Sequence, residues 1–233
     1  MSVEIEIAED PARACAAMLV GACADGGQVV LTGGSTPRAA YEELVRTVSS
    51  VGIDLSRTTF WFGDERCVGP EDERSNYGMA RQSLFEPLNA GNEPIVKRME
   101  GELGPAAGAE AYERSLLDAG PPRFDLLLLG IGPDGHTMSL FPEQPTLQER
   151  SRLVVGVEQA GLEPFVPRIS MTLPVLGMAE LVVVLASGES KADAVAAAFG
   201  AGARPNPRVP SSMVPEFASQ LTVLIDPAAA SRL

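Results

Sequence analysis

Histidine, lysine and cysteine are nearly absent from this chain of 233 residues: one histidine, two lysines among eighteen basic residues, and three cysteines. The cysteines (Cys15, Cys23, Cys67) are scattered without a C-x-x-C spacing, so a disulfide framework or a zinc site is not expected. A reducing cytosol is the simplest address, and Cys67 reads as a packing residue. Positive charge is scarce too. Eighteen Lys plus Arg against 31 Asp plus Glu give a formal net charge of −13. That argues against a nucleic-acid partner and against anionic membrane surfaces, both of which need a basic face. The longest apolar stretches, such as Leu181–Ala186, fall far short of the ~18 residues that span a bilayer. The first residues, MSVEIEIAEDPARA, lack the basic and apolar regions of a secretory signal. There is no internal repeat.

What remains is the profile of a folded globular protein, with 45% hydrophobic and 21% charged residues and a length suited to one domain over residues 1–233. Short apolar runs alternate with helical patterns almost to the end. The periodicity predicts strands at Val3–Ile7, Gln28–Thr32, Thr58–Phe62, Phe124–Gly130, Arg168–Leu173, Leu181–Ala186 and Leu221–Ile225, and helices at Pro11–Ala24, Pro37–Val48, Asn76–Phe85, Ala106–Leu117 and Lys191–Phe199. Runs such as DLLLL and LVVVLA are apolar on both faces, as central strands covered by helices are. The expected fold class is therefore α/β with a mainly parallel sheet.

In an open parallel sheet, ligands bind beyond the carboxyl ends of the strands. Four apolar runs lead directly into polar or glycine-rich loops: Gly33–Thr36, Gly63–Arg66, Gly130–His136 and Ser187–Lys191. If their strands are parallel, the four loops share one edge. The first reads strand–TGGSTP–helix, with Thr36 expected as N-cap and Pro37 at the first helical position; its free N–H groups suit a phosphate or carboxylate, although a plain tight turn has the same composition. No P-loop pattern occurs. Gly130–Gly135 satisfies G-x-G-x-x-G, but a proline lies inside it and no acidic residue follows at the end of a second strand, which argues against a dinucleotide site.

His136 follows a buried run, beside Asp134, where a residue titrating near neutrality can take a proton from water and return it to a leaving group. Asp64 and Asp134 are both candidates to orient its imidazole. Lys191 stands at a helix start, unfavourable against the dipole unless an anion is present, and Arg168 enters a buried strand, where a charge needs a partner. For each, an internal salt bridge is the structural alternative. Asp64-Glu65-Arg66 reads either as an ion-pair turn or as part of the site, and Arg74–Tyr77 as a helix cap or as a ligand contact.

The segments LTGGSTPRAAYEEL, WFGDERCVGPEDERSNYGMARQSLF, FDLLLLGIGPDGHTMSLFP and RISMTLPVLGMAELVVVLASGESKADAV together resemble the 6-phosphogluconolactonase family in order and spacing, over about Val29 to Val195. The resemblance implies a three-layer, modified Rossmann-like fold, shared with glucosamine-6-phosphate deaminases. It also implies hydrolysis of 6-phospho-D-glucono-1,5-lactone to 6-phosphogluconate in the oxidative pentose phosphate pathway, in the cytoplasm and with no cofactor or metal. By the same resemblance His136 is the general base, Arg66 contacts substrate with Asp64 beside it, and Gly33, Gly34 and Ser35 face the phosphate, on which Arg168 and Lys191 close. The deaminase branch has a GHxxFNEP pattern; here Phe141 takes the place of its acid, which favours the lactonase. Met138 stands where a small residue is usual. The partner implied is a small sugar-phosphate lactone, and a monomer is expected, with a dimer as the alternative. The rival readings are a sugar-phosphate isomerase or deaminase and a non-catalytic sugar-phosphate sensor. Residues 200–210, with Arg204 and Arg208, form a conceivable lid.

Overall fold

A computed structural model describes residues 3–24, 26–88 and 91–233. Its strands are β1 (Val3–Ile7), β2 (Gln28–Leu31), β3 (Thr59–Phe62), β4 (Asp64–Arg66), β5 (Ile95–Val96), β6 (Phe124–Gly130), β7 (Val154–Val157), β8 (Arg168–Met171), β9 (Ala179–Ala186) and β10 (Leu221–Ile225). The helices are α1 (Pro11–Cys23), α2 (Ser35–Val51), α3 (Asn76–Ala80), α4 (Pro105–Asp118), α5 (Ala192–Phe199) and α6 (Val214–Phe217).

Seven strands form one sheet in the order β1-β10-β9-β6-β2-β3-β5, parallel at every pairing, and helices flank it. The run Leu126–Leu129 in β6 and all of β10 are buried, as both-faced apolar strands require. At one edge, β1 alternates Val3, Ile5 and Ile7 with Glu4 and Glu6; two carboxylates on so short an edge discourage pairing with another chain. The expected strand at Arg168–Leu173 is not part of this sheet. It ends at Met171 and, as β8, is the middle of a small antiparallel sheet, β4-β8-β7. The cause is the chain's path after β3. It turns out of the main sheet at Gly63, whose N–H still bonds Leu31 O at 2.9 Å while its carbonyl accepts from Met171 N at 2.8 Å. The segment Asp64-Glu65-Arg66, expected as a loop, thereby becomes β4. Strands β4, β5 and β7 have two to four residues each, too few to show a period.

Helix ends shift by one to three residues from expectation. Helix α2 begins at Ser35, with Gly34 rather than Thr36 in the cap position, which moves Pro37 to the third helical residue. Helix α3 passes into a π-helical turn over Arg81–Phe85, and Lys191 closes a short 3-10 turn before α5.

The chain leaves β2 toward β3 on one side and β6 toward β9 on the other, so the strand order reverses between β2 and β6. Neighbouring strands separate at their carboxyl ends there, and ladder hydrogen bonds are lost. A buried tyrosine replaces them there, and a second does the same for β3 beyond the end of β5. The Tyr41 hydroxyl accepts from Thr32 N at 3.0 Å and donates to Thr32 O at 2.8 Å, and Tyr112 accepts from Phe62 N at 2.7 Å. Burial keeps both phenols protonated. Tyr41→Phe leaves both Thr32 groups unpaired in a dry site, so urea denaturation should show a loss of about 1–3 kcal/mol with an unchanged m-value.

Candidate active site

The reversal between β2 and β6 opens a crevice at the carboxyl edge of the sheet, lined by Thr32, Gly33, Gly34, Asp64, Arg66, Asn76, Gly130–Pro133, His136, Met138, Phe141, Leu162, Glu163, Arg168 and Lys191. All four loops singled out from the sequence contribute to it. Ser35 is exposed and lies in an adjoining depression with Arg38 instead.

The loop after β6 is wound around His136. Gly132 N donates to His136 O at 2.9 Å, Gly135 N to Gly132 O at 2.9 Å, and Thr137 Oγ1 to Gly130 O at 2.9 Å. The turn brings the Asp134 carboxylate onto the imidazole, with Oδ1 at 2.6 Å from Nδ1. A β-carbon at Gly132 would overlap both the imidazole and that carboxylate. Gly132, the second glycine of this G-x-G-x-x-G, thus makes room for a His–Asp pair. Because the carboxylate accepts from Nδ1, the neutral ring carries its proton there, leaving the Nε2 lone pair free. Burial pushes the Asp134 carboxyl up, but the His136 hydrogen bond and charge, with backbone donors, outweigh it and hold the group below the ordinary Asp range. The other candidate orienter, Asp64, is held elsewhere, by Ser139 and Asn76. Phe141 is buried against the ring of His136, their centroids 4.8 Å apart.

Opposite lies β4. Its middle residue, Glu65, is buried and accepts from the N–H groups of Arg66, Asn76 and Tyr77 and from Ser75 Oγ, at 2.7–2.9 Å. Ser75 also caps α3, accepting from Gly78 N at 3.0 Å, which is the capping role open to this segment. Its neighbour Asn76 was open to the same reading but lines the crevice, its carboxamide filling the space that a Gly33 side chain would need. Arg66 donates from Nη1 to Arg74 O at 2.6 Å, while its buried Nε has no partner among the described residues.

The two remaining cations differ. Arg168 is buried and donates to three carbonyls of the preceding loop: Val166 at 3.0 Å, Pro164 at 2.6 Å and Leu162 at 3.4 Å. The partner it needs is thus the 162–166 backbone rather than a carboxylate, and Nη1 makes no hydrogen bond among the described residues. Burial and the positive charge of Arg66 lower its pKa, partly opposed by Asp64 and Glu65. Lys191 is half-buried, its ammonium without a hydrogen bond or ion pair among the described residues; burial lowers its pKa, against the opposing charge of Asp134. Residues 200–210 stay outside the lining, with Arg208 Nε 3.2 Å from Glu143 and Arg204 Nη1 bonded to Ala203 O at 2.9 Å. Cys67 is half-buried, and burial raises its thiol to about 11.

Sequence reasoning missed Leu162 and Glu163, since the loop that carries them has no motif. It also missed that Met138, buried with φ at +51°, forms part of the wall, its Cγ 3.5 Å from where a Gly63 β-carbon would be.

A doubly wound α/β scaffold with a His–Asp pair and three converging cations at its switch point defines the class structurally. Comparison with known proteins narrows it. The family model described as glucosamine-6-phosphate isomerases/6-phosphogluconolactonase matches residues 4–223. A 6-phosphogluconolactonase of Streptomyces coelicolor is 39% identical over 209 residues, 82% of this chain and 80% of that protein. The human 6-phosphogluconolactonase is 38% identical over 208 residues, 87% of this chain and 79% of that protein. The solved structure of 6-phosphogluconolactonase from Trypanosoma brucei superposes with a TM-score of 0.82 at 26% identity, covering 100% of this chain and 99% of that one. The chain belongs to the glucosamine-6-phosphate isomerase/6-phosphogluconolactonase family. No helix among the described residues is long and apolar enough to cross a membrane.

Nitrogen-15 NMR of the one imidazole in the chain should show the neutral ring protonated on Nδ1. Asp134→Asn, whose amide can donate to Nδ1, should move that proton to Nε2. Because folded Asp134 titrates below its ordinary value of 3.8, its contribution to stability is complete above about pH 4 and disappears as pH falls through the lowered value. Thermal melts of wild type and Asp134→Asn should therefore converge on acidification.

Proposed function

We propose that this chain hydrolyses 6-phospho-D-glucono-1,5-lactone to 6-phospho-D-gluconate, in the cytoplasm and without a metal, as the lactone-opening step of the oxidative pentose phosphate pathway. The observation that carries the mechanism is the hydrogen bond between Asp134 and Nδ1 of His136, which leaves Nε2 as an acceptor at a crevice able to hold an anion. A water molecule gives a proton to Nε2 as its oxygen bonds to the lactone carbonyl carbon. The carbonyl oxygen takes the negative charge, and the guanidinium of Arg66, which lines the crevice, is the donor assigned to meet it. As the intermediate collapses, the bond between C1 and the ring oxygen breaks and Nε2–H returns its proton to that oxygen. The product is a hydroxyl on C5 and a carboxylic acid that ionises in water. Asp134 keeps the tautomer and stabilises the transient imidazolium.

The phosphate end belongs to Gly33 and Gly34 at the uncapped start of α2, with Lys191 and the free Nη1 of Arg168 as counter-charges. Anchored there, the lactone is held for attack rather than merely bound. The Lys191 ammonium has neither hydrogen bond nor ion pair among the described residues, so none of these must be broken to engage a phosphate. The apolar ring of Phe141 beside His136 offers no carboxyl group for the acid–base work of the deaminase branch.

The test is turnover of freshly prepared lactone, coupled to 6-phosphogluconate dehydrogenase and read against spontaneous hydrolysis. Wild type should exceed the background rate by orders of magnitude. His136→Ala should lose about 10²–10⁴ in kcat while still unfolding cooperatively, and Lys191→Ala should raise KM about 10- to 100-fold with kcat nearly kept. Background-level hydrolysis by a folded wild-type protein would refute the assignment.

A further inference from the structure

Asp64 is a buried crevice carboxylate with no part in the chemistry above, unlike the exposed Glu163 at the rim. Asp64 is 5% exposed and forms no salt bridge among the described residues. Neutral side chains hold it: Ser139 Oγ donates to Oδ2 at 2.6 Å and Asn76 Nδ2 to Oδ1 at 3.2 Å. Both holders are themselves fixed. Ser139 N donates to Ser170 Oγ at 3.2 Å, and Asn76 donates from its backbone N to Glu65 at 2.7 Å and from Nδ2 to Asp64 O at 2.9 Å.

A carboxylate offers about four lone-pair positions, and these two bonds use half of them. An acceptor-only anion in a ligand crevice repels phosphate and attracts hydroxyl donors. Position decides which hydroxyl. Ser139 lies three residues beyond His136 on the same loop, so its bond to Asp64 ties that carboxylate to the loop that carries His136.

We propose that Asp64 is a specificity-determining residue that accepts a hydrogen bond from the lactone's 2-hydroxyl, the group next to the reacting carbonyl. The inference rests on the lactonase reading. A site built to bond a hydroxyl rejects the analogue lacking it, because its buried acceptor is left short of a partner. With one oxygen tied to Ser139 and the other to Asn76, the carboxylate cannot turn away to find another.

The experiment compares kcat/KM for the parent lactone and its 2-deoxy analogue, each made by oxidising the matching sugar phosphate, in wild type and Asp64→Asn, with melting curves for both proteins. Wild type should prefer the parent about 10- to 100-fold, the range of a hydrogen bond to a charged group. In Asp64→Asn that preference should shrink toward unity, through a larger loss on the parent than on the analogue. Equal losses on both substrates, which a merely structural role would give, would overturn the proposal, as would a wild type without preference. If Asp64→Asn fails to melt cooperatively, Ser139→Ala takes its place. It keeps the carboxylate but frees one oxygen, and it should lower the preference; an undiminished preference there also overturns the proposal. Hydrolysis of neither lactone by wild type would strike the enzymatic reading and this inference with it, whereas hydrolysis without hydroxyl preference would strike this inference alone.

Discussion

The buried carboxylate of Glu65 is the interaction on which the site's far wall depends. Only 2% exposed, it forms no salt bridge among the described residues and is held by four donors from two elements: Arg66 N on β4, and Ser75 Oγ, Asn76 N and Tyr77 N at the start of α3. Burial raises its pKa and the four hydrogen bonds pull it back only in part. Such a group is costly unless every lone pair is met, so the geometry tolerates little drift. Fixing Glu65 fixes its neighbours. Asp64 and Arg66 flank it in sequence, and Asn76 is drawn down until its carboxamide reaches both Asp64 and the space above Gly33.

The two walls of the crevice are joined through one short bond. Ser139, at the end of the histidine loop, donates to Asp64 on β4, so the segment that carries His136 and the segment that carries Arg66 share a fixed reference. The small antiparallel sheet makes this possible. By leaving the main sheet at Gly63, the chain places β4 beside β8, where Asp64 pairs with Ser170 and Arg66 with Arg168. Two guanidinium side chains then stand on adjacent strands, and their mutual repulsion favours an anion between them. Arg168 adds a second function, since its bonds to the carbonyls of Leu162, Pro164 and Val166 pin the loop that supplies one rim.

Much of this arrangement was legible in the sequence for a physical reason. Runs such as Leu126–Leu129 and Val182–Leu185 are apolar on both faces, and only a covered parallel sheet uses them; its carboxyl edge then gathers the loops at Gly33, Asp64, His136 and Lys191. Where the reading stopped, the deciding contacts were long-range. Nothing local says that Arg168 opens an antiparallel strand, because the departure is set by pairing with β4 a hundred residues earlier. The choice between Asp134 and Asp64 was open for the same reason. The hydrogen bond from Nδ1 to Asp134 depends on a turn that Gly132 permits, and the Asp64 environment on Ser139 and Asn76, distant in the chain.

The central claim is that His136, kept in one tautomer by Asp134, removes the proton from the attacking water. Since the chain has one histidine, its titration can be followed by NMR without assignment, in the complex with 6-phosphogluconate, and set beside the acid limb of kcat on the lactone. The account predicts that the two midpoints coincide and that the limb disappears in the residual activity of His136→Ala. An acid limb with its midpoint well away from the imidazole titration, or one that survives in His136→Ala, would contradict it.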